Sequence, residues 1–271
     1  MTQFPGDRSF ELFSSSIFRI EARWGLGASP GAGQQPPAGQ VWSSVATGFA
    51  VAIFADSRRL VLATARHVLD VPDDEMIGWR VQQFDARGEV VRQVTFGTNK
   101  KLKSGVPYDF HKNADIGTLV LPRLGDDKLP FARPDEVPVR VIDILSGAST
   151  GTRVGWAGFP GLVADRLGFP QLCYFEGVIS AMVNRADRQI YIVDGHGGEG
   201  VSGGPVWHWS AEKDRPEVIG IVSGYQGASV DEPWLPGYCV FEPINPLMHR
   251  FHHECYHPDK TGEHIITNRY G

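Results

Sequence analysis

The sequence predicts an all-β protein built as two small antiparallel barrels, and three of its features lead there. Short apolar and β-branched runs recur at close intervals through most of the chain. Glycine and proline are abundant, at 32 and 19 of 271 residues, which suits many turns between strands better than packed helices. A stretch rich in proline and charge, Leu129 to Pro138 (LPFARPDEVP), divides the runs into two groups.

Before the first run comes Gly25 to Gly39 (GLGASPGAGQQPPAG), a flexible loop without apolar periodicity. Its Gly25-x-Gly27 spacing contains no helix start, so it is not a phosphate-binding loop. Val41 to Phe54 and Leu60 to Thr64 then read as two strands, and Ala55 to Arg59 between them as a hairpin turn. Trp79 to Phe84, Val90 to Phe96 and Ile116 to Leu121 complete the first group. The second group comprises Val154 to Gly158, Leu172 to Ile179, Gln189 to Val193, Pro205 to Trp209, Val218 to Ser223 and Tyr238 to Phe241. The segment Ile244 to Tyr256 has Leu247, Phe251 and Cys255 at four-residue steps and predicts a C-terminal helix over 244–256. The division predicts an N-terminal unit over 1–130, containing the flexible 25–39 loop, and a C-terminal unit over 131–271.

Composition narrows the classes of function. Hydrophobic residues at 42% and charged residues at 21% are ordinary for a globular chain. The formal net charge of −5 gives no basic footprint for nucleic acid. No apolar stretch is long enough to span a bilayer, so no membrane partner is expected. Three cysteines, Cys173, Cys239 and Cys255, are too few for a disulfide framework. With no signal-like start at Met1 to Arg8, the expected location is the cytoplasm.

The strongest chemical signal is Gly200-Val201-Ser202-Gly203-Gly204-Pro205. Glycines on both sides let a serine stand clear of its own backbone, and the N–H groups of Gly200 and Ser202 are placed to bind an oxyanion. The alternative is a glycine-rich turn that Ser202 merely caps. A nucleophilic serine needs a base. Of nine histidines, His67 alone follows directly on an apolar strand, in Leu62-Ala63-Thr64-Ala65-Arg66-His67. Asp115, in Asn113-Ala114-Asp115-Ile116, opens a strand and supplies the acid that would hold the imidazole. The order His67, Asp115, Ser202 is that of a nucleophilic triad split across two barrels.

The segments TARHV, NADIGTLVL and GVSGGPV resemble the histidine, aspartate and serine motifs of trypsin-like peptidases, most closely the single-chain bacterial branch that includes the high-temperature-requirement proteases. Gly155 to Gly161 (GWAGFPG), Glu176 to Ala181 (EGVISA) and Val218 to Gly224 (VIGIVSG) agree with that branch. The resemblance covers most of Val41 to Phe241. It implies two six-stranded barrels of chymotrypsin type, serine endopeptidase activity on protein or peptide substrates, and no metal or organic cofactor. It further implies that Ser223 supports Asp115, and that Ser223, Gly224 and Tyr225 pair with an extended substrate. His196 and Glu199 fall at the floor and rim of the primary specificity pocket, and nothing matches the basal aspartate of a trypsin. A small or apolar residue before the scissile bond is expected; selection of glutamate through His196 or of basic residues through Glu199 remains an alternative.

The departures from the pattern also carry expectations. Arg66 replaces a small residue and must reach solvent if the packing under His67 is to be kept. Val201 replaces the aspartate of zymogen-activated trypsins, so activation by a new N-terminus is not expected. A regulatory protein partner, a mobile loop such as 25–39, or narrow specificity would then restrain activity. His249, His252, His253, Cys255 and His257 contain no metal motif and read as solvated residues of the terminal helix. The other functional class open to this chain is a catalytically silent module that captures a peptide along the Ser223 strand.

Overall fold

The computed structural model describes residues 10, 14–24, 42–54, 60–70, 76–85, 87–97, 108–110, 113–121, 148–161, 170–185, 188–211, 214–226, 238–244 and 265–266. The protein is all-β, with two antiparallel units of six main strands each and almost no helix among the described residues. The first unit contains β1 (Ile17–Trp24), β2 (Trp42–Phe54), β3 (Leu60–Thr64), β4 (Met76–Phe84), β5 (Val90–Gly97) and β7 (Gly117–Val120). Two short strands extend it, β6 (Tyr108–Phe110) beside β7 and β14 (Ile265–Ile266) beside β2. Its spatial order is β5-β4-β1-β2-β3-β7-β6. The second unit is a closed barrel of β8 (Arg153–Gly158), β9 (Cys173–Arg185), β10 (Arg188–Asp194), β11 (Pro205–Ser210), β12 (Arg215–Gln226) and β13 (Tyr238–Pro243), in the order β10-β13-β12-β11-β8-β9.

Eleven strands fall where the apolar runs predict them, and β3 matches its predicted limits residue for residue. Strand β1 was not among the predicted runs. Its Phe18, Ile20 and Ala22 face the core of the first unit, alternating with Arg19 and Glu21. That charged face is buried and largely paired within the sheet: Arg19 Nη1 donates to Glu21 Oε2 at 2.7 Å and to Gln82 Oε1 at 2.8 Å, and Arg80 pairs with the same Glu21 carboxylate, while Arg19 Nε has no partner among the described residues. The Gly25–Gly39 loop, the Ala55–Arg59 turn, the Leu129–Pro138 linker and the helix expected beyond Ile244 lie outside the described residues.

Three apolar clusters organise the core. One lies within the first unit, around Ile20, Leu62, Trp79 and Leu119, and another within the barrel, around Trp156, Val193, Ile219 and Phe241. The third joins the units: Phe49, Val61, Ile116 and Val120 from the first pack with Ala157, Phe159, Trp207 and Ile221 from the second. Burying side chains of this size stabilises by roughly 1.5–3 kcal/mol each. The seam between the units is therefore a packed core, and residues placed on either side of it are held in fixed relation.

Candidate active site

Strand β3 ends at Thr64, and the chain turns through Ala65 into a single helical turn, α1 (Arg66–Leu69), which carries His67. Four residues cannot sustain a helix alone, and Ala65 offers no side-chain cap. Val68 and Leu69 supply the anchor by burying themselves in the first core, while His67 stays about half exposed. Arg66 reaches solvent and pairs with Asp70 Oδ2 at 3.1 Å.

Asp115 arrives from the segment preceding β7 and meets His67 twice. The His67 backbone N–H donates to Oδ1 at 2.9 Å, and the ring Nδ1 lies 2.7 Å from Oδ2. A carboxylate only accepts, so Nδ1 carries a proton, and in the neutral ring the lone pair then lies on Nε2. Ser223 Oγ donates to the same Oδ2 at 2.7 Å. Ser223 can do so because the β12–β13 register slips between Val222 and Gly224, making Ser223 a bulge residue. Bulges commonly re-aim a side chain beside a functional site. Burial raises the Asp115 carboxyl's pKa, but the hydrogen bonds and charge of His67 and the Ser223 hydroxyl outweigh it and hold the group below its ordinary value.

The Gly200–Gly204 segment forms a tight turn across the seam. Gly200 and Gly203 have φ of +91° and +87°, the left-handed region that glycine tolerates. A Cβ at Gly200 would stand 2.2 Å from the Phe159 carbonyl oxygen, and one at Gly203 would stand 2.0 Å from that of Thr47. Gly203 also lies against Thr64 Oγ1 and the Ala65 N–H, two residues before His67. That contact brings the Ser202 turn beside the His67 helix. Among the described residues, however, Ser202 Oγ makes no hydrogen bond to the imidazole. Free enzymes often leave such a bond long until substrate binds.

The peptide groups of this turn are pinned by their carbonyls. Gly161 N–H donates to the Glu199 carbonyl at 2.8 Å, and Gly204 N–H to that of Val201 at 2.9 Å. In a trans peptide the N–H points away from the C=O, so these two bonds orient the N–H groups of Gly200 and Ser202. Val201, Gly203 and Gly204 all spend their own N–H groups on protein carbonyls. The N–H groups of Gly200 and Ser202 have no protein acceptor among the described residues, the pair the sequence singles out.

Two residues that sequence reasoning missed hold this arrangement. Thr47, fully buried on β2, donates its hydroxyl to the Gly200 carbonyl at 2.6 Å and accepts from Phe159 N–H at 3.1 Å. Its backbone N–H donates to the Ser202 carbonyl at 2.8 Å. Glu242, on β13, accepts the Asp115 backbone N–H at 2.8 Å. A lone glutamate in the otherwise apolar run Tyr-Cys-Val-Phe-Glu-Pro was the available signal for it.

His196 and Glu199 are exposed, and Val201 is fully buried in the barrel core. The backbone of Gly224 and Tyr225 pairs with β13, whereas the β11 ladder on the other side of β12 ends at Pro205–Ile221. Beyond that point the far edge of β12 carries no partner strand among the described residues. No three residues of metal-ligating type cluster among the described residues, and the histidines of 249–257 lie outside them. Cys173 and Cys239 are unpaired, and no described helix is long and apolar enough to cross a membrane.

No family model and no curated protein sequence matches the chain. Its likeness lies with solved structures. It is similar to a thermostable serine protease from an extremophilic microorganism at 14% identity and a TM-score of 0.54, over 89% of this chain and 97% of that one. It is also similar to a Glu endopeptidase, solved in complex with MPD, at 12% identity and a TM-score of 0.48, over 88% and 90% of the two chains. The fold is therefore that of the chymotrypsin-like serine proteases. The expected placement in the high-temperature-requirement branch gains no support at such identities.

Proposed function

We propose that the chain is a serine endopeptidase. Ser202 attacks the substrate carbonyl, His67 takes its proton and returns it to the leaving amine, and Asp115 holds the imidazole tautomer and stabilises the imidazolium. The N–H groups of Gly200 and Ser202 bind the oxyanion, a contribution typically worth about 10²–10³ in rate per donor. Ser223 to Tyr225 receive the substrate backbone as an added strand on the unpartnered edge of β12. The pocket beyond them takes a small or apolar residue; His196 or Glu199 would redirect it to glutamate or to basic side chains. The observation that carries this reading is the Asp115 carboxylate, held by His67 twice and by Ser223 once, beside a serine turn with two unused amides.

Labelling with a fluorophosphonate tests it. The native chain should label, and Ser202→Ala and His67→Ala should not. A folded native chain that neither labels nor cleaves a peptide library would refute the proposal. A second reading, a protease fold that captures peptides without cleaving them, is favoured by one observation: the unmade bond between Ser202 Oγ and His67. It predicts peptide binding along β12 that survives Ser202→Ala, with no labelling of the native chain.

A further inference from the structure

Glu242 is completely buried, and its surroundings do not explain it as a packing residue. One carboxylate oxygen accepts the Asp115 N–H. The other lies 2.6 Å from Arg188 Nη2, but at an angle outside hydrogen-bond geometry, so it has no aligned donor. Burying such a group costs several kcal/mol unless it is fully paired. An apolar residue on β13 would avoid that cost. The groups facing Glu242 come from four elements: Ser223 from β12, Arg188 from β10, Asp115 from the segment before β7, and beyond it His67 on α1. Arg188 reaches Glu242 from a cavity of about 460 Å³ that His67, Asp115, Arg66 and Asp70 also line. The Arg66–Asp70 pair neutralises itself there, which leaves Arg188 as the counter-ion of Glu242.

Resting on the peptidase reading, we propose that Glu242 is a positioning residue for the His67–Asp115 pair and that Arg188 tunes it. Through the Asp115 N–H, Glu242 fixes the backbone from which the orienting carboxylate projects. Burial pushes the Glu242 carboxyl above its ordinary value, and the Asp115 N–H and Arg188 act against that rise. Once ionised, it places a negative charge behind the Asp115 carboxylate in a medium of low dielectric and favours the imidazolium that forms when His67 takes the Ser202 proton. Arg188 opposes it, so removal of the two charges must act on His67 with opposite sign.

Full-length Glu242→Gln keeps an acceptor for the Asp115 N–H and removes the charge; Arg188→Gln removes the counter-charge from a partly exposed site. For hydrolysis of a chromogenic peptide, Glu242→Gln should lower kcat about tenfold, the scale of one charge-assisted contact, with little change in KM. The acid limb of kcat/KM should move to lower pH in Glu242→Gln and to higher pH in Arg188→Gln. NMR titration of the His67 ring in a Ser202→Ala background reads the same displacements without turnover. If the native chain hydrolyses nothing, the peptidase reading fails, and the ring titration still decides the inference. Limbs or titrations that stay put, or that move the same way in both variants, overturn it. Should Glu242→Gln not fold, an upward displacement in Arg188→Gln supports the proposal and none refutes it.

Discussion

Thr47→Val tests whether the seam between the units is held by hydrogen bonds or by shape alone. Valine matches threonine in volume, so the apolar contacts of the site survive the change. What it removes is a hydroxyl that bonds two groups from different loops, the Gly200 carbonyl at 2.6 Å and the Phe159 N–H at 3.1 Å. Both would lose that partner at a fully buried site, where even a Cβ on Gly158 would stand 2.7 Å from the Thr47 oxygen. Each unpaired buried group costs about 1–3 kcal/mol, giving a loss of roughly 2–6 kcal/mol. That is a large share of the 5–15 kcal/mol typical of a domain, and at about 2–4 °C per kcal/mol it lowers Tm by roughly 4–24 °C. Thr47→Ser is the control: it retains the hydroxyl and loses one methyl, at a cost of about 1 kcal/mol. Calorimetry compares stabilities, and the fluorophosphonate labelling rate below Tm reports the turn itself, which should react at least tenfold more slowly in the valine variant. If valine melts no lower than serine and labels at the native rate, hydrogen bonding by Thr47 contributes nothing to holding the turn.

Two further predictions follow from the same geometry. Gly161→Pro removes the N–H that holds the Glu199 carbonyl, freeing the 199–200 peptide to rotate; labelling should fall about 10²-fold, on the scale of one lost oxyanion donor, with the far-ultraviolet circular dichroism unchanged. Asp115 is an acid depressed by folding, so its contribution to stability is complete above its ordinary value of 3.8 and is lost as pH falls through its lower folded value; the gap in urea stability between native chain and Asp115→Asn should therefore be constant above pH 3.8 and close progressively as pH falls below it.

What the sequence disclosed and what it withheld divide along one physical line. His67, Asp115 and Ser202 were readable because each leaves a mark on its neighbours: a strand end before the histidine, a strand start after the aspartate, glycines around the serine. Strands were readable where β-branched runs repeat, and β1 escaped because its charged residues, Arg19 and Glu21, look solvated until β4 is seen to cover them with Arg80 and Gln82. The supports of the site leave little such mark, the lone glutamate in the apolar run of β13 apart. Thr47 meets Gly200 across 153 residues, Ser223 meets Asp115 across 108, and Glu242 meets the Asp115 backbone across 127. Thr47 and Ser223 are ordinary residues for a strand, and the part of all three is set only when two units close on one another. Ser223 was anticipated through a family resemblance, whereas Thr47 and Glu242 were not. The peptide planes of the serine turn make the same point: the sequence marks Gly200 and Ser202 as donors, but their direction is set by carbonyl bonds to Gly161 and Gly204. Chemistry of the reacting groups is thus encoded locally, while their aim is encoded in contacts that only the closed seam creates.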